Sequence, residues 1–151
     1  HDIGKIGVKE DILNKPGKLT GEEYQQVQYH CEIGEHILRP VMEDNKILQM
    51  VRHHHERYDG NGYPDGLSGE QMPLGARILA VADTYDAMTS QRPYRSTMSR
   101  KEASDEIRRC TGTQFDPVVV TAFLGTALAP IILPETPETW HYAEGYDDAK
   151  D

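Results

Sequence analysis

Histidine and aspartate side chains that can bind metal ions are unevenly distributed along this chain of 151 residues. His1 and Asp2 open the sequence, His30 follows, and three consecutive histidines occupy positions 53–55. Asp83 interrupts the apolar run ILAVAD, where an isolated carboxylate is costly unless a metal ion or a basic side chain pairs with it. Imidazole and carboxylate ligands together suit divalent ions such as manganese, iron and zinc. The pattern indicates a metal site.

Each of these features also has a structural explanation. The three histidines could form a solvated helix end, where cationic side chains suit the helix dipole. Asp83 could be a core residue paired with arginine or lysine, and a single His-Asp dipeptide means little. Neighbouring histidines on a helix point about 100° apart, so they suit two nearby ions better than one shared ion. All the features together, on a helical scaffold, favour a metal centre.

The elements that position these residues all have helical periodicity, and no run of alternating strands is found. A capping box at Thr20 and Glu23 begins a helix that we expect to end at Pro40. We expect a second helix from about Pro40 to Arg57, and a third from about Leu74 to Ser90. Two more start at the Ser99 capping box and at Asp116-Pro117. The fold class is therefore predicted to be all-α. The glycine-rich stretch 58–75 is predicted to be a long functional loop.

Composition narrows the class of protein. The 16 basic and 25 acidic residues give a formal charge of -9, which argues against binding to nucleic-acid polymers. No apolar run is long enough to span a membrane. We interpret Cys31 and Cys110 as small core residues in a reducing compartment, which predicts a cytoplasmic location. Because the chain begins with functional-looking residues rather than Met, we expect it to be a fragment of a longer protein. An upstream region could tether that parent protein to a membrane. Residues 131–151 form an acidic tail that we expect to be flexible.

Several long motifs resemble the HD-GYP family, a branch of the HD phosphohydrolase superfamily. They are HDIGKIGV, ILNKPGKLT, HHHERYDGNGYPDG and GTQFDP, and the likeness runs from His1 to about Leu124. The resemblance implies an all-α HD-domain bundle, with residues 1–130 as its C-terminal part and its N-terminal helices lacking. It also implies two or three metal ions, usually iron or manganese. The expected reaction is metal-dependent hydrolysis of cyclic di-GMP to the linear dinucleotide pGpG, to GMP, or to both.

The resemblance assigns roles residue by residue. Asp2 takes the place of the carboxylate that bridges two metals, Lys5 lies beside the scissile phosphate, and Asp86 orients the site; these three form the expected catalytic set. The expected metal ligands are His1, Asp2, His30, His54, His55 and Asp83. The expected substrate-binding residues are Lys5, Tyr63, Arg92 and Arg95, and many relatives have lysine at the last of these positions.

The resemblance also leaves alternatives open. In the family, a helix before the HD pair supplies a further ligand, which this sequence does not contain. The chain could therefore be a catalytically impaired module that binds cyclic di-GMP and contacts diguanylate-cyclase (GGDEF) domains through the GYP loop. A hydrolase of another nucleotide is a weaker alternative, because GYP and RPYR are not general HD features. An upstream sensor or receiver domain and a homodimer are further expected partners.

Overall fold

A computed structural model describes residues 1–91 and 97–127. Seven α-helices lie in these two ranges: α1 Glu10–Leu13, α2 Gly21–Gln28, α3 His30–Leu38, α4 Asn45–His53, α5 Leu74–Thr89, α6 Arg100–Arg109 and α7 Pro117–Ala127. Two short 3-10 helices span Ile3–Gly7 and Gly69–Gln71. Extended pairing in the described part is limited to isolated bridges. The all-α prediction is confirmed. Arg92, Arg95 and the tail 131–151 lie outside the described residues.

The capping residues place the helix starts as predicted. The Thr20 hydroxyl accepts from the Glu23 amide at 3.2 Å, and the Glu23 carboxylate accepts from the Thr20 amide at 2.7 Å. Ser99 forms the same reciprocal box at the start of α6. Asp116 accepts from the Val118 amide at 2.7 Å and so caps α7. Each cap satisfies amides that have no partner within the helix.

Two helix predictions need correction. The segment from Thr20 to Pro40 is divided at Tyr29 into α2 and α3. The predicted helix from Pro40 to Arg57 is wrong in its bounds, because α4 spans only Asn45–His53. It begins after Asp44, whose carboxylate accepts from the Lys46 amide at 2.8 Å. His54 is therefore the C-cap residue of α4, with φ -67° and ψ -14°, and His55 lies beyond the helix end.

One buried apolar cluster and the site occupy different parts of the bundle. Helices α5, α6 and α7 pack around a buried cluster that includes Val81, Met88, Ala103, Ile107, Phe115 and Val120. On the other side, the first 3-10 helix packs on α3, α3 packs on α4, and α4 packs on α5. Helix α5 therefore joins the core to the chain segments that carry the histidines. No helix in the described ranges is long and apolar enough to cross a bilayer.

A close backbone approach seats the start of the chain on α3. A β-carbon on Gly4 would lie 2.5 Å from the backbone nitrogen of Gly34 and would also overlap the carbonyl oxygen of His30. Only glycine allows this contact. The contact places Asp2 next to the first residue of α3.

A buried ion pair ties α5 to α7. Arg77 on α5 donates to Asp116 at 2.5 Å, and the Asp116 side chain is 2% exposed. Asp116 also caps α7, so one carboxylate serves both contacts. Because Asp83 lies further along the same helix as Arg77, this pair helps to fix its position relative to the core.

Candidate metal centre

Four side chains from three separate stretches of chain converge at one point. Asp2, His30, His54 and His55 each offer one ligand atom, and these atoms all lie within 4.8 Å of one another. Asp2 precedes the first 3-10 helix and His30 begins α3. His54 follows the last residue of α4, with His55 next to it. The group has the nitrogen and oxygen donors that borderline divalent metals accept.

The backbone sets the tautomers of two of these histidines. Nδ1 of His30 lies 2.6 Å from the Val27 carbonyl oxygen, and Nδ1 of His54 lies 2.6 Å from that of Val51. In a neutral ring, a proton on Nδ1 leaves Nε2 as a bare lone pair. The two Nε2 atoms are 3.3 Å apart. Two lone pairs at this distance repel each other, so the arrangement calls for a shared cation or proton.

Asp2 directs an unpartnered oxygen at the same point. Its Oδ1 is buried and has no hydrogen-bond partner among the described residues. That atom lies 3.4 Å from His30 Nε2 and 3.8 Å from His54 Nε2. The other oxygen accepts from Lys5 Nζ at 2.6 Å. Burial raises the pKa of Asp2, but Lys5 and the two histidines outweigh it and hold the pKa below its ordinary value. The residues present fit a bound cation.

Burial keeps the neighbouring imidazoles neutral. It lowers the pKa of His54 to about 4, with a further contribution from the charge of His55. It also lowers the pKa of His55 to about 4, and there His30 adds to the effect. Neutral imidazole is the form that ligates metals. At neutral pH both rings therefore have lone pairs available.

The remaining two expected ligands adjoin this group. His1 Nε2 lies 3.5 Å from Asp83 Oδ1 and 3.8 Å from Asp2 Oδ2. The His1 ring packs edge-on against that of His54, with centroids 4.9 Å apart. The structure therefore brings all six expected ligands into one region, as two sets that adjoin at Asp2 and His54.

The other expected site residues have different surroundings. Lys5 lies at the edge of the cluster through its contact with Asp2. Asp86 is exposed near the end of α5, where it accepts from the Ser90 hydroxyl at 2.9 Å. The Tyr63 ring lies over the ring of His55. His53 has both ring nitrogens engaged, with the Gln49 carbonyl oxygen and with Asp65, each at 2.8 Å, and so serves the structure.

A cavity of about 360 Å³ opens beside the cluster. Its lining combines histidines, acidic groups and two tyrosines: Tyr24, His54, His55, Glu56, Arg57, Tyr63, Ala80, Asp83, Thr84 and Gln114. The volume lies within the usual range for small-molecule sites, roughly 300–1,000 Å³. A larger cavity of about 640 Å³, lined by residues such as Tyr85 on α5, Met98 before α6 and Phe123 on α7, shares no residue with the cluster.

Sequence reasoning missed Glu56. Its side chain is 1% exposed, and its two carboxylate oxygens accept from the amides of Asp65 and Leu67 at 2.7 and 3.1 Å. The sequence signal that could have identified it is the position of an acidic residue between the three histidines and the glycine-rich loop. Glu56 holds that loop against the cluster.

Comparisons with known proteins agree with the architecture. The chain resembles a solved cyclic GMP-AMP specific phosphodiesterase of Vibrio cholerae with a TM-score of 0.57 and 21% identity, over 83% of this chain and 35% of that one. At this identity the likeness shows the fold.

Curated relatives match at higher identity. A cyclic di-GMP phosphodiesterase of Thermotoga maritima is 46% identical over 128 residues, which cover 82% of this chain and 34% of the relative. A cyclic di-GMP phosphodiesterase response regulator of Xanthomonas campestris is 44% identical, with coverages of 82% and 33%. A 3'3'-cGAMP-specific phosphodiesterase of Vibrio cholerae is 44% identical, over 72% of this chain and 25% of the relative. The chain spans about a third of the length of the first two relatives.

A family model described as HD domain matches residues 1–119. This range contains the first 3-10 helix, all the expected ligands and the loop held by Glu56. The chain therefore belongs to the HD domain family.

Proposed function

We propose that this protein is a metal-dependent phosphodiesterase that hydrolyses cyclic di-GMP to pGpG, GMP or both. One observation carries the proposal: two Nε2 lone pairs and an unpartnered carboxylate oxygen meet at a single buried point. This arrangement is costly without a cation. The names of the curated relatives supply the substrate class.

We propose that the site holds two or three divalent ions, iron or manganese, as the family resemblance implies. The ligands would be His1, Asp2, His30, His54, His55 and Asp83. Bound cations would supply positive charge to a phosphodiester and a source of hydroxide near neutral pH. Nitrogen and carboxylate donors without thiolates suit these metals.

The other residues would bind and orient the substrate. The Lys5 ammonium, 40% exposed beside Asp2, offers positive charge where a phosphate would approach. Tyr63 and Tyr24 both line the 360 Å³ cavity, and we propose that Tyr63 binds substrate there. Tyr24 is half exposed, so its ring can also stack on a base. We propose that Arg92 and Arg95 bind phosphate oxygens, since a planar guanidinium matches two of them at once. For Asp86 we propose an orienting role at the end of α5.

The test uses the full-length protein loaded with Mn²⁺, or with Fe²⁺ under anaerobic conditions. Chromatography of the products should show conversion of cyclic di-GMP to pGpG or GMP. Asp2→Asn should abolish turnover, because it removes the charge of the central carboxylate. Asp105→Asn is the matched control, since Asp105 pairs with Lys101 and Arg108 on the surface of α6. Turnover that survives Asp2→Asn would refute the proposed site.

A second substrate has specific support. Several relatives are named 3'3'-cGAMP-specific phosphodiesterases, at identities of 35–44%. The ratio of kcat/KM for cyclic di-GMP and 3'3'-cGAMP separates the two candidates. A ratio above one supports cyclic di-GMP as the preferred substrate.

The expected partners stand as proposals of the same kind. They are diguanylate-cyclase (GGDEF) domains that contact the GYP loop, an upstream sensor or receiver domain, and a second copy of the protein. A cytoplasmic location is proposed with them. Co-purification of full-length protein with a diguanylate cyclase, compared with a variant altered in the loop, tests the first of these.

A further inference from the structure

The three histidines of the cluster are oriented in different ways. His30 and His54 each place Nδ1 against a backbone carbonyl oxygen at 2.6 Å. Within residues 1–91 and 97–127, neither ring nitrogen of His55 has such a partner. Histidines that ligate metals usually have the second nitrogen held by a hydrogen bond, which fixes the ring. Another contact must therefore orient His55.

The ring of Tyr63 supplies this contact. Its centroid lies 4.9 Å from that of His55, and the two planes are inclined by only 30°. The Tyr63 amide also donates to the His55 carbonyl oxygen at 3.3 Å, so backbone and side chain are joined. Tyr24 packs edge-on against Tyr63, with centroids 6.2 Å apart and planes at 80°. The Tyr63 ring therefore contacts two other rings.

The loop that carries Tyr63 is itself fixed by hydrogen bonds to Glu56 and Arg52. The buried carboxylate of Glu56 accepts from the amides of Asp65 and Leu67, just after Tyr63 in the chain. Arg52 donates to both carboxylate oxygens of Asp65 at 2.8 Å. On the other side of the tyrosine, a β-carbon on Gly62 would lie 2.5 Å from the Glu56 Cα. The backbone on both sides of Tyr63 therefore has little freedom to move.

We propose that Tyr63 is a positioning residue, whose ring sets the orientation of the His55 imidazole for metal binding. This inference rests on the proposed metal-dependent function. It gives Tyr63 a role in addition to the substrate binding that the resemblance implies, because its ring contacts both His55 and Tyr24. The stacked face, rather than the hydroxyl, is the active feature.

Calorimetric titration of the metal-free protein with Mn²⁺ tests the proposal without an activity assay. Tyr63→Leu should weaken Mn²⁺ binding about tenfold, because it removes the stacked ring and frees His55. Tyr63→Phe keeps the ring and should bind within about twofold of wild type. Tyr29→Leu is the matched control, since Tyr29 is 58% exposed, and should leave the affinity unchanged.

The outcomes distinguish failure of the positioning role of Tyr63 from failure of the proposed metal-dependent function. Wild-type affinity in a folded Tyr63→Leu variant would overturn the positioning role alone. A tenfold loss in Tyr63→Phe would also overturn it, since only the hydroxyl is removed, and this variant serves if Tyr63→Leu does not fold. If the wild-type protein itself fails to bind Mn²⁺, the proposed function fails and this inference fails with it. Thermal unfolding in the presence of chelator shows that each variant is folded.

Discussion

Replacing Gly4 with alanine should separate the start of the chain from α3 and so weaken the metal centre. The new β-carbon would lie 2.5 Å from the Gly34 nitrogen, whereas ordinary contact begins at 3.4 Å. The segment must therefore move by about 1 Å, and by more to clear the His30 carbonyl oxygen. Both obstacles are backbone atoms of α3, so a change of side-chain rotamer cannot relieve the overlap. Asp2, two residues earlier, would move with the segment.

The expected loss follows from this displacement. Asp2 Oδ1 lies 3.4 Å from His30 Nε2, and a shift of about 1 Å is large on that scale. Loss of the contacts that orient a metal ligand typically costs about 10–100-fold in metal affinity, and a shift of about 1 Å in the central carboxylate should reach the upper end of that range. We therefore expect Mn²⁺ affinity to fall about 100-fold, or about 2.7 kcal/mol. Overpacking should also lower the free energy of unfolding by about 1–3 kcal/mol.

Calorimetry measures the Mn²⁺ affinity, and urea unfolding in the presence of chelator measures the stability. Gly21→Ala is the matched control, because nothing lies within 4 Å of its β-carbon position at the start of α2. It should keep wild-type affinity and equal or slightly greater stability. Mn²⁺ affinity within twofold of wild type in Gly4→Ala would refute the reasoning that this contact positions Asp2.

Three further predictions concern stability. Mn²⁺ at 100 times its Kd should raise the free energy of unfolding by about 2.7 kcal/mol, and chelator or His54→Ala should abolish the gain in a thermal melt. Arg77→Met should cost about 3–5 kcal/mol in urea unfolding, because it leaves the buried Asp116 carboxylate unpaired; adding Asp116→Ser, which keeps a cap for α7, should restore part of the loss. Arg52, with His53, lowers the pKa of Asp65 to about 2. The stability that these ion pairs contribute is therefore complete above the unfolded pKa near 4 and is lost as the pH falls towards 2. Asp65→Asn should make stability less dependent on pH in this acid range, as measured by unfolding followed by circular dichroism.

Local chemistry explains which helix ends could be predicted. The capping boxes at Thr20 and Ser99 need only residues three positions apart, and both starts are confirmed. The start of α4 was misplaced because Pro40 is as plausible a helix start as Asp44 when only the sequence is considered. In the structure the Asp44 carboxylate caps the helix. This hydrogen bond settles the competition between the two local signals, which the sequence alone does not rank.

The candidate site likewise combines features that could be predicted from the sequence with features that could not. The resemblance named six ligands, and the structure brings them together. The sequence could not show that Val27 and Val51 carbonyl oxygens set the tautomers of two histidines. It also could not show that Glu56 binds amides nine and eleven positions away. The first feature is a contact over three positions, but it depends on a ring orientation that the sequence does not display. The second depends on how the loop folds back onto Glu56.

The ligand-bearing stretches are far apart along the chain, and this has a consequence for folding. His30 and His54 are 24 positions apart, yet their Nε2 atoms meet within hydrogen-bond distance. Closing such loops costs conformational entropy, which local helix formation does not recover. A cation would therefore bind only after the segments have come together, and it would stabilise the contact between them. Cells short of that cation would then hold a looser chain, more often open to proteases.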